Sequence, residues 1–189
     1  MRLLETDMAM QIFNATEDLM AEGGLQNLSM QKIAKKANIS AGTIYLYFKN
    51  KEELLSKLAE RVFMLFQQAV QKDYNEQESF FHQYRRMWWN IWYLLQQEPN
   101  LVINMSQYRS LPAFHLACKE SEKKSLWNIF CAKGIQSGEL INLPSNILFI
   151  LSLRTVINMA LDCTFFKRSL SDETLESIIL CSFKAIQNN

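Results

Sequence analysis

Along almost the whole chain, apolar residues recur three and four positions apart, and no stretch alternates apolar and polar residues between turn signals. The pattern predicts helices and no sheet. Met8, Ile12, Ala15 and Leu19 mark a first helix that the Gly23-Gly24 pair stops. Ser29 is placed to cap a second, short helix whose Met30, Ile33, Ala34 and Ala37 face inward and which ends near Asn38. Ser40 then caps a third short helix, from Ala41 to about Tyr47, and two short helices joined by so brief a turn form a helix-turn-helix. From Lys51 to Glu98 there is neither glycine nor proline, so two long helices are expected to divide around Asp73 to Glu78, where the apolar pattern lapses. Pro99 opens the next element, Pro112 a helix through Lys119 and Trp127, and Pro144 a helix through Phe166. Ser171 caps the last helix. The expected fold is all-α with about nine helices, in which residues 1–50 form a small helix-turn-helix domain and residues 51–189 a larger helical domain.

Net charge is +1 over 189 residues, but its distribution is uneven. Six lysines (32, 35, 36, 49, 51 and 57) face only Glu52 and Glu53 between Gln31 and Lys57, a balance of +4. Residues 1–28 hold Arg2 against Glu5, Asp7, Glu17, Asp18 and Glu22, a balance of −4. A basic stretch inside a neutral chain points to a localised anionic partner. The apolar run from Ile147 to Leu153 is interrupted by Arg154 and Asn158 before the roughly 20 residues a bilayer needs, so no membrane partner is expected. The N-terminal decapeptide lacks the apolar core of a secretory signal, which makes the cytoplasm the expected compartment. Cys118, Cys131, Cys163 and Cys181 are widely spaced and joined by only two histidines, which favours buried thiols over a zinc site.

On a helical wheel the segment Ala41 to Phe48 gathers Ile44, Phe48 and Tyr45 on one side, and Gly42, Thr43, Leu46 and Tyr47 on the other. Glycine in a first helical turn costs stability, so Gly42 suggests close approach of a partner to the backbone. Leu46 is open to two readings, packing against a neighbouring helix or contact with a thymine methyl group in the major groove.

Segment Ala15 to Leu55, with Leu19, Gly24, Ser29, Ile33-Ala34 and the run ISAGTIYLYFKNKEEL, resembles the DNA-binding domain of TetR/AcrR-type transcriptional regulators. KGIQSGEL, from Lys133 to Leu140, is similar to a glycine-spaced pattern of the same family's second domain. The resemblance implies that the helix from Ala41 enters the major groove of a double-stranded DNA operator, with Ala41, Gly42 and Thr43 nearest the base edges. It implies phosphate contacts from Tyr45, Tyr47 and Lys51, a backbone anchor at Ser29 and a base-reading role for Gln31; Lys36, Ser40 and Leu46 complete the candidate interface. Glutamine suits adenine, while tyrosine hydroxyls, lysines and a helix N-terminus suit phosphate. No arginine stands among the candidate base readers for the usual guanine contact, so an A·T-rich half-site is expected.

Residues Ser79 to Gln96 are apolar around most of the helix circumference, and such a helix must be surrounded by others. Each aromatic there can be ordinary core; as pocket candidates for a small hydrophobic or aromatic effector, which the resemblance implies, stand Trp88, Trp92, Tyr108 and Trp127. Ile147, Ile150, Leu151, Ile157 and Leu161, with Leu175, Ile179, Phe183 and Ile186, are more apolar than helices closing a monomer need to be. The last two helices are therefore expected to form a four-helix homodimer interface, which predicts a near-palindromic operator. Neither a phosphate loop nor a hydrolase or metalloprotease motif is present, so no enzyme, cofactor or metal site is expected. The expected function is a ligand-responsive repressor; the competing reading is a helical adaptor without sequence-specific DNA binding.

Overall fold

The structure, a computed structural model, describes residues 7–121 and 124–188; Arg2 and Glu5 of the acidic N-terminal stretch lie outside them. The described residues form α1 (Asp7–Gly23), a 3-10 turn (Leu25–Asn27), α2 (Met30–Lys36), α3 (Ala41–Tyr47), α4 (Lys51–Gln71) and α5 (Phe80–Gln97). They continue with α6 (Pro99–Ile103), α7 (Met105–Ser110), α8 (Pro112–Ser121), α9 (Leu126–Gln136), α10 (Ser145–Leu151), α11 (Arg154–Phe166) and α12 (Asp172–Lys184). Twelve α-helices stand among the described residues against about nine expected: the element opened by Pro99 is split into α6 and α7, and two long apolar runs are cut. The run opened by Pro112 is divided by a new N-cap at Ser125, whose side chain accepts from the Asn128 N–H. The run after Pro144 breaks at Ser152, whose backbone leaves the helical region at φ −127° and ψ −89°.

The chain divides into two compact units, and the first is larger than the expected residues 1–50. It comprises the described part of Met1–Met64 together with Ile103–Lys119; the second comprises Leu65–Val102 and the described part of Glu120–Asn189.

In the first unit α1 buries Ala9, Ile12, Phe13, Ala15, Thr16, Glu17 and Met20, a face rotated from the stripe that Met8 and Leu19 suggested. Phe13 meets Phe48 with ring centroids 5.3 Å apart, and Ile33, Ile44, Leu54, Leu58 and Val62 complete the core. The turn between α2 and α3 is fixed by Asn38, which takes the left-handed conformation (φ 53°) that asparagine tolerates, and by Gln11 of α1, which donates to the Ala37 carbonyl at 2.6 Å. Ser29 and Ser40 cap α2 and α3, accepting from the N–H groups of Lys32 and Thr43.

Within the second unit α11 and α12 pack along α5. Tyr84 is fully buried and shares a hydrogen bond of 2.8 Å with Ser182, and Phe183 lies 5.3 Å from its ring. Glu176 accepts from Arg85 Nε and from Trp89 Nε1, both at 2.8 Å, and the guanidinium beside it holds its carboxyl below the usual range. The glycine-spaced segment has a packing explanation. A Cβ on Gly134 would lie 2.5 Å from Leu140 Cδ1 and 2.6 Å from its Cγ, while Gly138 has φ +78°. Leu140 is itself buried, so its side chain can give way only by displacing its neighbours. Gly134→Ala is therefore expected to cost about 1–3 kcal/mol through overpacking, read as a lowered urea midpoint with an unchanged slope.

Several apolar positions lie differently from expectation. Leu175, Ile179 and Phe183 of α12, and Ile186 just after it, are buried within the chain and offer no free face. On α10, α11 and α12 the exposed large apolar residues are Ile147, Ile150, Leu151, Leu161, Phe165, Phe166 and Leu180. Arg154 and Asn158 do not by themselves interrupt the C-terminal apolar run: Ser145–Phe166 is long and apolar enough to cross a membrane by length and mean hydropathy, but it is broken at Ser152 into α10 and α11. Of the cysteines, Cys131 is buried and its thiol is pushed up to about 12 by burial, whereas Cys118 and Cys181 are exposed.

Candidate DNA interface

The α3 helix presents one face inward and one outward. Ile44 and Phe48 are buried, at 0% and 3% exposure, while Ala41, Gly42, Tyr45 and Leu46 are exposed and Thr43 and Tyr47 half-buried. Leu46 is 81% exposed, which settles against its packing within the chain. An isolated exposed leucine is common, but this one shares a face with a glycine and two tyrosines on the second helix of a helix-turn-helix. Tyr45, which the wheel groups with the packed side, is 47% exposed, whereas Ile44 and Phe48 are buried and Phe48 packs on Phe13 of α1. A Cβ built on Gly42 would meet only Ser40 Oγ, at 3.7 Å. The fold does not require glycine there.

Ser40 Oγ accepts from the Thr43 N–H at 3.0 Å and lies 2.8 Å from Thr43 Oγ1, so both hydroxyls are engaged at the α3 N-terminus. After α3, Asn50 Oδ1 accepts from the Glu53 N–H at 2.8 Å, and Glu53 accepts from the Lys49 N–H at 2.7 Å. This reciprocal cap fixes the turn that carries Lys49 and Lys51, the latter half-buried. Gln31 is exposed on the first turn of α2, and Ser29 is half-buried. Lys36 is turned to α1, with its ammonium 2.7 Å from Glu22 and 3.9 Å from Asp18, and the Glu22 carboxylate raises its pKa above the ordinary lysine value. Of the predicted interface residues, Lys36 alone has its charge engaged with carboxylates.

The pocket candidates are divided between the two units. Trp88 stacks on Trp92 (5.7 Å, 19°) and donates to Thr155 Oγ1 at 3.1 Å; Trp127 stacks on Phe130 (5.4 Å, 26°) and donates to the Ser145 carbonyl at 2.9 Å. Tyr108 belongs to the first unit, where it donates to Glu17 at 2.6 Å.

Glu17 was not singled out by sequence. It is 4% exposed, the one charged residue buried among the described residues. Arg61 Nη1 of α4 lies 3.8 Å from its carboxylate, and Asn104 Nδ2 donates to its carbonyl at 2.8 Å. Gln107 donates to the Met20 carbonyl at 3.0 Å and accepts from the Leu25 N–H at 2.9 Å. The segment from Asn104 to Tyr108 thus adds partners along the C-terminal half of α1, among them the Met20 carbonyl, which also accepts from the Gly24 N–H at 2.9 Å. Burial, and then the charge of Glu17, push the Tyr108 hydroxyl above its ordinary pKa and keep it a donor.

Residues 12–58 match the family described as bacterial regulatory proteins, tetR family, and residues 79–187 match the tetracyclin repressor-like C-terminal domain. The chain is 52% identical over 187 residues to an HTH-type transcriptional regulator of Haemophilus influenzae, covering 99% of this chain and 100% of that one. A crystal structure of a TetR-family transcriptional regulator from Haemophilus influenzae superposes with a TM-score of 0.89 at 52% identity, covering 96% of this chain and 100% of that one. The fatty acid metabolism regulator protein of Bacillus subtilis is 33% identical over 135 residues, 69% of this chain and 70% of that protein. FadR from Bacillus subtilis in complex with stearoyl-CoA shares the fold, with a TM-score of 0.74 at 24% identity over 94% of this chain and 98% of that one. An outward-facing α3 on a capped helix-turn-helix, joined to two family matches that together span most of the sequence, leads to one conclusion: the chain belongs to the TetR family of DNA-binding transcriptional regulators.

Proposed function

We propose that the protein is a ligand-responsive repressor that acts in the cytoplasm as a homodimer on a near-palindromic operator. The observation that carries the DNA-reading part is the exposed face of α3, with Leu46 at 81% exposure beside Ala41, Gly42 and Tyr45. In this reading Ala41, Gly42, Thr43 and Leu46 face base edges in the major groove, Gln31 reads an adenine, and Ser29, Ser40, Tyr45, Tyr47 and Lys51 hold phosphates. Lys36 contributes only if it leaves Glu22 and Asp18, a weak surface pairing that a phosphate can replace. The readers are short or apolar, so discrimination rests on thymine methyl groups and duplex shape.

Homodimerisation is supported by the exposed apolar positions of α10, α11 and α12, of which Ile147, Ile150, Leu161 and Leu180 need cover from water. A second copy of the same surface provides it with two-fold symmetry and sets two α3 helices about one helical turn of DNA apart, or a multiple of it. The effector is a small hydrophobic or aromatic molecule, for which the stacked pairs Trp88–Trp92 and Trp127–Phe130 offer apolar walls once their packing opens. A long acyl chain fits that description, as the stearoyl-CoA bound to FadR from Bacillus subtilis illustrates. Such a ligand shifts operator occupancy by no more than its differential affinity for the two conformers.

Two measurements test the interface. Selection from a random duplex pool is expected to return an inverted repeat with A·T-rich half-sites; a G·C-rich consensus contradicts the base assignment. Lys51→Ala is expected to weaken binding to every duplex and to lower the slope of log K against log salt by about one unit. A changed sequence preference at an unchanged slope would remove Lys51 from the phosphate contacts.

A further inference from the structure

We infer that Tyr108, with Gln107 and Asn104, is a positioning residue of the DNA-reading unit, which ties α1 to α7 through the buried carboxylate of Glu17. The inference rests on the reading of residues 29–51 as the DNA interface and adds the element that sets its position.

By sequence, Asn104 to Tyr108 fall within the match to the family's C-terminal domain, yet they are built into the unit that carries the helix-turn-helix. Their polar atoms are spent on α1 and the turn after it: the Glu17 carboxylate and carbonyl, the Met20 carbonyl and the Leu25 N–H. Gln107 also donates to Asn104 Oδ1 at 2.9 Å, so the two amides hold each other in register. Glu17 faces Arg61 of α4 as well, which places α1, α4 and α7 around one buried charge. From Glu17 the path to the interface is short. Phe13, one turn earlier on α1, packs on Phe48 at the end of α3, and Gln11 holds the Ala37 carbonyl in the turn before it.

Displacing α7 from α1 breaks several buried polar contacts together, and no partial shift leaves all of them paired. Such an arrangement has discrete states. The position of α7 and the affinity of α3 for DNA are then linked, and linkage is reciprocal: whatever α7 does to DNA binding, DNA does to α7.

Reciprocity supplies a test that needs no effector. Amide hydrogen exchange is followed in the full chain with and without a duplex recovered by pool selection, for wild type and Tyr108→Phe. In wild type, saturating duplex is expected to raise protection at residues 29–51 and also, by about tenfold, at residues 105–111. In Tyr108→Phe the gain at 29–51 persists and the gain at 105–111 disappears, a separation that a merely structural role for the hydroxyl does not produce. An equal gain at 105–111 in both proteins, or none in wild type, overturns the proposal. Absence of protection at 29–51 in wild type overturns the interface reading and, with it, this inference. Should Tyr108→Phe fail to fold, Gln107→Ala, which removes the contacts to Met20 and Leu25 and leaves the Glu17 charge paired, is scored by the same criteria.

Discussion

Glu17→Ala is expected to destabilise the protein by about 3–5 kcal/mol, the largest stability loss predicted for any single site here. Exposed acidic residues on the same helix, such as Glu22, are expected to change stability by no more than about 0.5 kcal/mol when replaced by alanine. The contrast lies in burial. Glu22 lies at the surface, whereas Glu17 is 4% exposed and its carboxylate faces Arg61 and the Tyr108 hydroxyl. Removing it leaves a guanidinium, 12% exposed, and a fully buried hydroxyl without the partner they were desolvated to meet. Helix propensity works in the opposite direction, since alanine is the best helix former, so a loss of this size can come only from the tertiary cluster. Glu17→Gln keeps an acceptor for Tyr108 and drops the charge, and is expected to lose less. Urea unfolding with a constant slope measures both. A loss below about 1 kcal/mol for Glu17→Ala would mean that water or rearrangement already compensates the charge.

The second large effect separates folding from function. Gly42→Glu is expected to leave the protein as stable as wild type or more so, while lowering its affinity for the selected duplex about 100-fold. Stability is preserved because a Cβ at Gly42 has open space around it, with Ser40 Oγ 3.7 Å away as its one close neighbour. An acidic residue in the first turn of α3 also complements the helix dipole, and replacing glycine in a helix recovers about 0.5–1 kcal/mol. DNA binding is lost for the same geometric reason. The open space is where a groove would lie, and a carboxylate placed there meets phosphates and base edges, a like-charge juxtaposition worth several kcal/mol. Fluorescence anisotropy with a labelled duplex, beside a thermal melt of the free protein, gives both numbers. Retained affinity with retained fold would show that the exposed face of α3 does not meet DNA.

The parts of the architecture written in local chemistry were legible. Ser29, Ser40 and Ser171 each cap the helix they were expected to cap, because an N-cap is decided by a side chain and the N–H three residues on. The exposed face of α3 was half legible: its periodicity separates Ile44 and Phe48 from Leu46, but whether Leu46 meets another helix is a tertiary fact. Glu17 was opaque for a plain reason. Its partner Tyr108 lies 91 residues away, and nothing in either neighbourhood distinguishes a buried acid from a solvated one. The same limit hid that Tyr108 belongs to the helix-turn-helix unit and donates to Glu17. It also explains α12, where Leu175, Ile179 and Phe183 show the stripe an interface would show but spend it on the body of the second unit. Periodicity reports that a face is covered and does not report by what. The glycine-spaced segment was recognised as a pattern; its cause, the approach of Leu140 to Gly134, needs coordinates.

The claim on which the rest depends is that the helix from Ala41 to Tyr47 enters a duplex groove while Lys51 and its neighbours meet the strands. Its most direct measurement is a salt titration of binding between the purified, effector-free protein and duplex fragments from its own chromosome. Saturable binding is expected in dilute buffer, with log K falling linearly against log salt at a slope of about −0.9 per phosphate contacted, and shallower by one contact in Lys51→Ala. No binding to any duplex in dilute buffer, by a protein shown to be folded, would contradict it.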